Sequence, residues 1–82
     1  MSLEYYKKQM VDLRARLDKE KEAKKRDNER YADLVKSAST TDSKAYYRRQ
    51  KIDHAASHDR NIESIKRQIE SCKDSIARER KR

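Results

Sequence analysis

The stretch Ser37-Ala38-Ser39-Thr40-Thr41-Asp42-Ser43 decides the fold, because it is the only run of small hydroxyl and acidic residues and lies almost at the midpoint of the chain. The 82-residue chain contains no Gly and no Pro, so the usual turn residues are missing. Ser, Thr and Asp replace them, since their side-chain oxygens compete with the backbone for hydrogen bonds and also cap helix N-termini. The stretch therefore predicts a bend over residues 38–42, with Asp42 as the N-cap of a following helix.

The residues before the bend predict a first helix over residues 3–37. Every third or fourth residue falls on one stripe that faces a partner helix, as in a coiled coil. The stripe is apolar at both ends and polar in the middle, because Ala23 is the only apolar residue between Asp18 and Arg30. Its members are Leu3, Tyr6, Met10, Leu13, Leu17, Glu20, Lys24, Asp27, Tyr31, Leu34 and Ala38. We therefore expect no dry core behind the centre of this helix.

The residues after the bend predict a second helix over residues 43–79, with a stripe of the same kind. If the chain folds back at the bend, residues whose numbers sum to about 82 lie opposite each other, so that Leu17 meets Ile65 and Tyr31 meets Ile52. The second stripe comprises Ile52, Ala55, His58 or Asp59, Ile62, Ile65, Ile69, Cys72 and Ile76. In this register the apolar segments of the two stripes lie opposite each other, and so do the polar segments. The two stripes therefore favour an antiparallel hairpin.

The predicted fold class is all-α: residues 1–82 form one antiparallel two-helix hairpin, a coiled coil. The line of contact between its helices, the seam, is predicted to contain Leu13, Leu17, Tyr31, Leu34, Ile52, Ile62, Ile65, Ile69 and Ile76. Chains this short rarely gain more than about 3–5 kcal/mol from their own core. We therefore expect the hairpin to pair into a four-helix bundle or a larger assembly, or to dock on another domain.

Two tyrosine doublets are the candidate contacts for such an assembly, Tyr5-Tyr6 and Tyr46-Tyr47. Adjacent residues on a helix point about 100° apart, so one ring of each doublet faces away from the seam. Tyrosine offers a large contact area with a polar tip, which favours a second interface. The simpler interpretation is that Tyr6 and Tyr31 fill the seam while Tyr5 and Tyr46 lie on the surface.

The charge of the chain indicates a second kind of partner. Its 23 basic and 15 acidic residues give a net charge of +8, which favours binding to nucleic acid or acidic surfaces. The signs are interleaved along both helices, however, and interleaved charge is typical of a solvated helix face. No known DNA- or RNA-binding motif is present. Nucleic-acid binding is therefore the alternative to protein association rather than the favoured role.

The sequence also bears on the cellular compartment. Residues 1–8 lack the apolar segment of a secretory signal, and no apolar run approaches the ~20 residues needed to cross a bilayer. The single cysteine, Cys72, cannot form an internal disulfide, which fits a reducing compartment. We expect a cytoplasmic protein that does not engage a membrane.

No motif indicates a reaction, so we predict no catalytic residue, no cofactor and no metal site. His54 and His58 are four residues apart on one helix face, but a metal site needs a third ligand, and neither Asp59 nor Cys72 is placed to supply it. We expect the two histidines to be solvated or to fill the seam. Cys72 falls on the apolar stripe, which is typical of a small core residue, and a chain without glycine has no Gly-rich phosphate loop.

The two helices resemble each other at an offset of 41 residues, because Tyr5-Tyr6-Lys7-Lys8-Gln9 matches Tyr46-Tyr47-Arg48-Arg49-Gln50. A duplicated helix folded on itself forms a hairpin with pseudo-two-fold symmetry. Biased composition also produces chance matches, so duplication and coincidence both stay open.

A family resemblance comes from the whole chain: the opening Met1-Ser2-Leu3-Glu4-Tyr5-Tyr6, the Lys/Glu-rich first helix, the Ser/Thr-rich bend and the Arg/Ile second helix. The chain resembles the N-terminal helical hairpin that precedes TIR and other effector domains in bacterial immunity-type proteins. The resemblance implies association by the hairpin, with any chemistry in a C-terminal effector domain outside this chain. We therefore predict a non-enzymatic oligomerisation or adaptor module that forms a homo-oligomer and serves such a domain or a separate protein partner.

Overall fold

The computed structural model describes residues 2–81 and contains two helices joined by a short bend. Helix α1 spans Leu3–Ser37 and helix α2 spans Thr41–Arg80, so only residues 38–40 lie between them. The helices pack against each other in a rod of 64 × 14 × 12 Å. The predicted all-α helical hairpin is confirmed. Within residues 2–81, neither helix combines the length and the hydropathy that a membrane crossing requires.

The bend is shorter than predicted because Thr40, and not Asp42, is the N-cap of α2. Thr40 has extended backbone angles, φ −118° and ψ 155°, and its Oγ1 accepts a hydrogen bond of 3.0 Å from the Ser43 amide. Asp42 lies instead in the first turn, where a carboxylate interacts favourably with the positive end of the helix dipole. The hydroxyl run therefore caps the second helix two residues earlier than the sequence suggested.

Two cross-helix contacts report the register of the hairpin. Lys24 Nζ lies 2.6 Å from Asp59 Oδ1, and the Tyr31 hydroxyl lies 3.1 Å from His54 Nε2. The paired residue numbers sum to 83 and 85, close to the sum of about 82 that a fold at the bend implies. The helices are thus antiparallel and nearly in the predicted register.

The apolar core occupies only the half of the rod that is far from the bend, which we call the core half (residues 3–17 and 62–80). Its cluster consists of Met10, Leu13, Ile65, Ile69 and Cys72, with Tyr6, Leu17 and Ile76 packed against it. The Cys72 thiol donates a hydrogen bond of 3.1 Å to the Tyr6 carbonyl oxygen, so the cysteine is a satisfied core residue. None of residues 24–58, which we call the bend half, is buried. Hydrophobic burial therefore stabilises one half of the hairpin far more than the other.

One predicted seam residue lies elsewhere: Ile52 is 68% exposed. Between Lys51 and Ile65 the seam runs through residues 51, 54, 58, 62 and 65. The regular alternation of three- and four-residue steps is broken there by two consecutive steps of four, which rotates the stripe around α2. Tyr31 consequently contacts His54 instead of Ile52. The other predicted seam residues are buried (Leu13, Ile62, Ile65, Ile69) or partly buried (Leu17, Tyr31, Leu34, Ile76).

Replacing Ile69 by Ala is expected to lower the free energy of unfolding by about 2–5 kcal/mol, because it removes buried methyl and methylene groups from the core. Ile52→Ala deletes the same atoms from an exposed position, and we expect a change within about 0.5 kcal/mol. Urea unfolding followed by far-ultraviolet circular dichroism measures both. Equal losses in the two variants would contradict this placement of the seam.

Candidate functional site

The core ends at a polar cluster across the seam, centred on His58, which we call the polar waist. His58 Nδ1 lies 2.7 Å from Glu20 Oε1, and His58 Nε2 lies 2.6 Å from Asp27 Oδ2. An ionised carboxylate only accepts hydrogen bonds, so both ring nitrogens must donate, and a histidine with two N–H groups is the charged imidazolium. Only 17% of the His58 side chain is exposed. The centre of the waist is therefore a cation held between two anions of the opposite helix.

Further polar groups extend the waist along both helices. Asn61 Nδ2 donates to Glu20 Oε1 at 3.1 Å, so this carboxylate oxygen accepts hydrogen bonds from two residues of α2. Lys24 pairs with Asp59 at 2.6 Å on the side of the rod. Within residues 2–81, no buried side-chain nitrogen or oxygen lacks a hydrogen-bond partner. The waist is therefore a satisfied polar contact, which avoids the cost of leaving buried polar groups unpaired.

His54 continues the waist toward the bend. Its Nδ1 lies 3.6 Å from Asp27 Oδ2, and its ring lies 4.9 Å from the Tyr31 ring. The Arg30 guanidinium lies 3.4 Å from Asp27 Oδ1 and 4.9 Å over the Tyr31 ring. His58 thus fills the seam, whereas His54 lies at its edge with 40% of its side chain exposed, so the two histidines divide between the two roles expected from the sequence. Within residues 2–81, no three His, Cys, Asp or Glu side chains are placed to hold a metal ion.

The waist shifts the acid–base behaviour of three groups. Hydrogen bonds to Asp27 and then to Glu20 raise the pKa of His58 above its ordinary value of 6.5. Hydrogen bonds from His58 and then from Asn61 lower the pKa of Glu20 below 4.5. The hydrogen bond from His58 likewise lowers the pKa of Asp27 below 3.8. All three shifts favour the charged forms, which is what a cation between two carboxylates requires.

The tyrosine doublets divide between the seam and the surface. Tyr6 and Tyr47 are partly buried, whereas Tyr5 is 42% exposed and Tyr46 is 52% exposed. Within each doublet the two ring centroids lie 5.4 Å apart. This division follows from the 100° step between adjacent helical residues. It leaves one aromatic ring on the surface near each end of the rod.

The two exposed rings lie on the same side of the hairpin. Each directly precedes a seam residue, and residues in that position on two antiparallel helices face the same side. Gln9 donates to the Tyr5 hydroxyl at 2.9 Å and lines an interhelical groove together with residues of α2. We call this surface the tyrosine side. The residues of α2 on it between the waist and the open end carry no charge: Ser57, Asn61, Ser64, Gln68, Ser71 and Ser75.

The opposite side of the hairpin, which we call the charged side, is made of residues that directly follow a seam residue. Next to the core it carries basic residues at seven-residue spacing on both helices: Lys7, Arg14, Lys21, Lys66, Lys73 and Arg80. Acids interleave with them, and Glu70 pairs with Lys73 at 3.3 Å. Val11 and Ile52 also lie on this side, 67% and 68% exposed. The two sides therefore differ in chemistry although both are solvent-exposed.

The sequence pattern does not reveal the polar waist. Glu20 and Asp27 lie on the stripe of the first helix and His58 on that of the second, but the pattern predicts no bond among them. The available signal was that two acids on the first stripe lie near His58 on the second. The rotation of the α2 stripe, which brings His54 into the seam beside His58, is not apparent from the hydrophobic pattern.

Comparison of the chain with protein-family models, with curated proteins and with solved structures gives no significant match. These comparisons therefore do not test the resemblance to the hairpins that precede TIR domains, which stays a prediction.

The free energy of unfolding is expected to fall in acid. The pKa values of Glu20 and Asp27 are lowered in the folded state, so their contribution is fully present above the ordinary values of 4.5 and 3.8 and is lost as the pH drops through the lowered ones. Glu20→Gln removes one titrating group, so its urea midpoint should change less between about pH 5 and about pH 2. The exposed Glu22→Gln is the matched control and should follow the unmodified protein. Identical acid profiles for all three proteins would contradict the role of Glu20 in the waist.

Proposed function

We propose that this protein is a non-enzymatic association module, a helical hairpin that assembles with a second copy of itself. The supporting observation is the placement of Tyr5 and Tyr46, which expose their rings on one side of the rod near its two ends. Tyrosine is enriched among the residues that dominate binding energy at interfaces. Two such rings on one side provide anchors that a second hairpin can engage together.

The energetics of a single hairpin support the same proposal. Ordering each backbone residue costs about 1–2 kcal/mol, and the core that offsets this cost contains six buried side chains. None of the bend half is buried. An interface over the tyrosine side would bury the exposed ring of Tyr46 in the bend half and that of Tyr5 in the core half. A second copy is the simplest partner, because most soluble oligomers are formed by identical chains.

Charge favours the tyrosine side over the charged side as the interface. Two copies with a net charge of +8 repel each other, so they approach best where the fewest like charges meet. The uncharged row of α2 offers such an approach, although Arg16 and Lys19 of α1 line the same groove. Its serine, asparagine and glutamine side chains supply both donors and acceptors. The assembly that fits is a four-helix bundle or a larger one.

The decisive experiment is sedimentation equilibrium over a hundredfold dilution series. The unmodified protein should be at least a dimer at micromolar concentration, and Tyr5→Ser combined with Tyr46→Ser should weaken that dimer by about tenfold or more, since interface anchors contribute upwards of about 1–2 kcal/mol each. Circular dichroism on the same samples separates dissociation from unfolding.

The chain offers a matched control on its other side. Val11→Ser combined with Ile52→Ser also removes two exposed apolar side chains, and their positions differ by the same 41 residues as Tyr5 and Tyr46. This variant should dimerise like the unmodified protein. A monomer at all concentrations would overturn the association proposal, and a stronger effect of the control pair would move the interface to the charged side.

The narrower part of the proposal is that the hairpin is the N-terminal association or adaptor module of a bacterial effector protein in the cytoplasm. Its support is the family resemblance, together with the single cysteine, whose thiol is buried and forms no disulfide. In such a protein the hairpin would bring effector domains together, and the chemistry would belong to those domains.

The alternative function is nucleic-acid binding by the charged side. The observation that favours it is the pair of basic rows, with three residues on each helix at a regular spacing along the rod. Phosphate contacts give a steep salt dependence, with a slope of about −0.9 per phosphate neutralised on duplex DNA. Binding to a generic duplex should therefore weaken sharply between low and moderate salt, and Lys66→Gln with Lys73→Gln should reduce the slope by about two. Absence of binding at low salt would remove this alternative.

A further inference from the structure

The polar waist is the only cross-helix contact in the described residues that joins a histidine to carboxylates, and it stands where the apolar core stops. On one side of it lies the core half, with Leu13 and Ile69 buried. On the other lies the bend half, where even the most enclosed apolar side chains, such as Leu34 and Tyr47, are only partly buried. The bend half therefore depends more than the core half on the polar contacts at the waist.

We propose that His58 is a proton-dependent latch on the bend half: its imidazolium holds Glu20 and Asp27 of α1 against α2, and loss of one proton lowers the free energy needed to separate the helices between the waist and the bend. The inference goes beyond the proposed function, because it concerns a conformational device inside a single hairpin.

The geometry explains why one proton matters. Both ring nitrogens face carboxylate oxygens at 2.6–2.7 Å, so each contact needs an N–H between the two atoms. A neutral imidazole keeps one N–H, and its other nitrogen then presents a lone pair to a carboxylate oxygen. That contact becomes repulsive, so one of the two bridges to α1 must open.

The surrounding charges make the neutral form still less compatible with the closed waist. From α1, Glu20, Asp27, Lys24 and Arg30 face the site, and from α2 Asp59 pairs with Lys24. With His58 charged, three anions meet three cations. With His58 neutral, the anions exceed the cations by one. The remaining neighbours are the His54 ring, the Tyr31 hydroxyl and the Asn61 amide.

Opening in this half cannot be a simple separation of two intact helices. Only residues 38–40 join α1 to α2, and such a short link keeps the helix ends together. Separating the helices between the waist and the bend therefore breaks backbone hydrogen bonds in both. The opening is thus visible as amide hydrogen exchange, which reports local and global unfolding at individual residues.

The test is native-state amide hydrogen exchange at about pH 5.5 and about pH 8, on either side of the ordinary histidine range, corrected for intrinsic rates. At the lower pH, amides of residues 24–36 and 44–58 should have protection factors at least about tenfold lower than those near Leu13 and Ile69. They exchange by an opening that involves only the bend half. At the higher pH, protection should fall by about tenfold in both halves, because the local opening of the bend half and the opening of the whole hairpin both break the contacts of His58. The difference in protection between the halves should persist.

The two histidines provide matched variants on one helix face. His58→Gln should show low protection of the bend half at both pH values and lose the pH dependence. His54→Gln should keep it, because His54 bridges no pair of carboxylates. Equal protection of the two halves would mean that the hairpin opens only as one unit, and no change with pH would mean that His58 is no latch. Loss of the pH dependence in His54→Gln would show that His54, and not His58, causes it. Each of these results overturns the proposal, and the unmodified protein alone decides the first two.

Discussion

Two helices share one seam, and everything else in this protein depends on that constraint. A side chain that is to be removed from water must lie on a single line of contact, and an 82-residue chain offers few such positions. The chain places its large aliphatic residues on this line in one half only, around Leu13 and Ile69. In the other half no side chain is buried, and the cross-helix hydrogen bonds and ion pairs cluster at its waist end, as far as Tyr31 and His54. The fold is therefore one hairpin whose two halves are held together by different kinds of interaction.

The polar waist marks the boundary between these two kinds. His58 satisfies Glu20 and Asp27 together, so three groups that would be costly in an apolar seam stabilise one another instead. The same arrangement makes the contact dependent on protonation, because it needs both ring N–H groups. Outside the seam, the tyrosine side and the charged side present different chemistry to a partner. The proposed association surface adjoins the waist, because Asn61 of the tyrosine side donates a hydrogen bond to Glu20.

Several features were predictable because they depend on local sequence. The helices follow from the three-and-four spacing of the stripes and from the absence of Gly and Pro, and the bend follows from the hydroxyl run around Thr40. The N-cap was misplaced at Asp42, because several adjacent residues of this run are competent caps and only the backbone geometry selects among them. The mistaken assignment of Ile52 to the seam has a different origin. The hydrophobic pattern alone does not show where the stripe on α2 rotates.

The sequence by itself determined that this chain is two helices folded at a central bend, since periodicity and capping act over a few residues. It also determined that the middle of the seam is polar. Only the tertiary structure decided which polar groups meet there, and that Tyr5 and Tyr46 share one side of the rod. The physical reason is that cross-helix contacts depend on the rotation of each helix about its own axis. A single extra four-residue step rotates the stripe on α2, replaces Ile52 by His54 in the seam, and so turns an expected apolar contact into a hydrogen-bonded one.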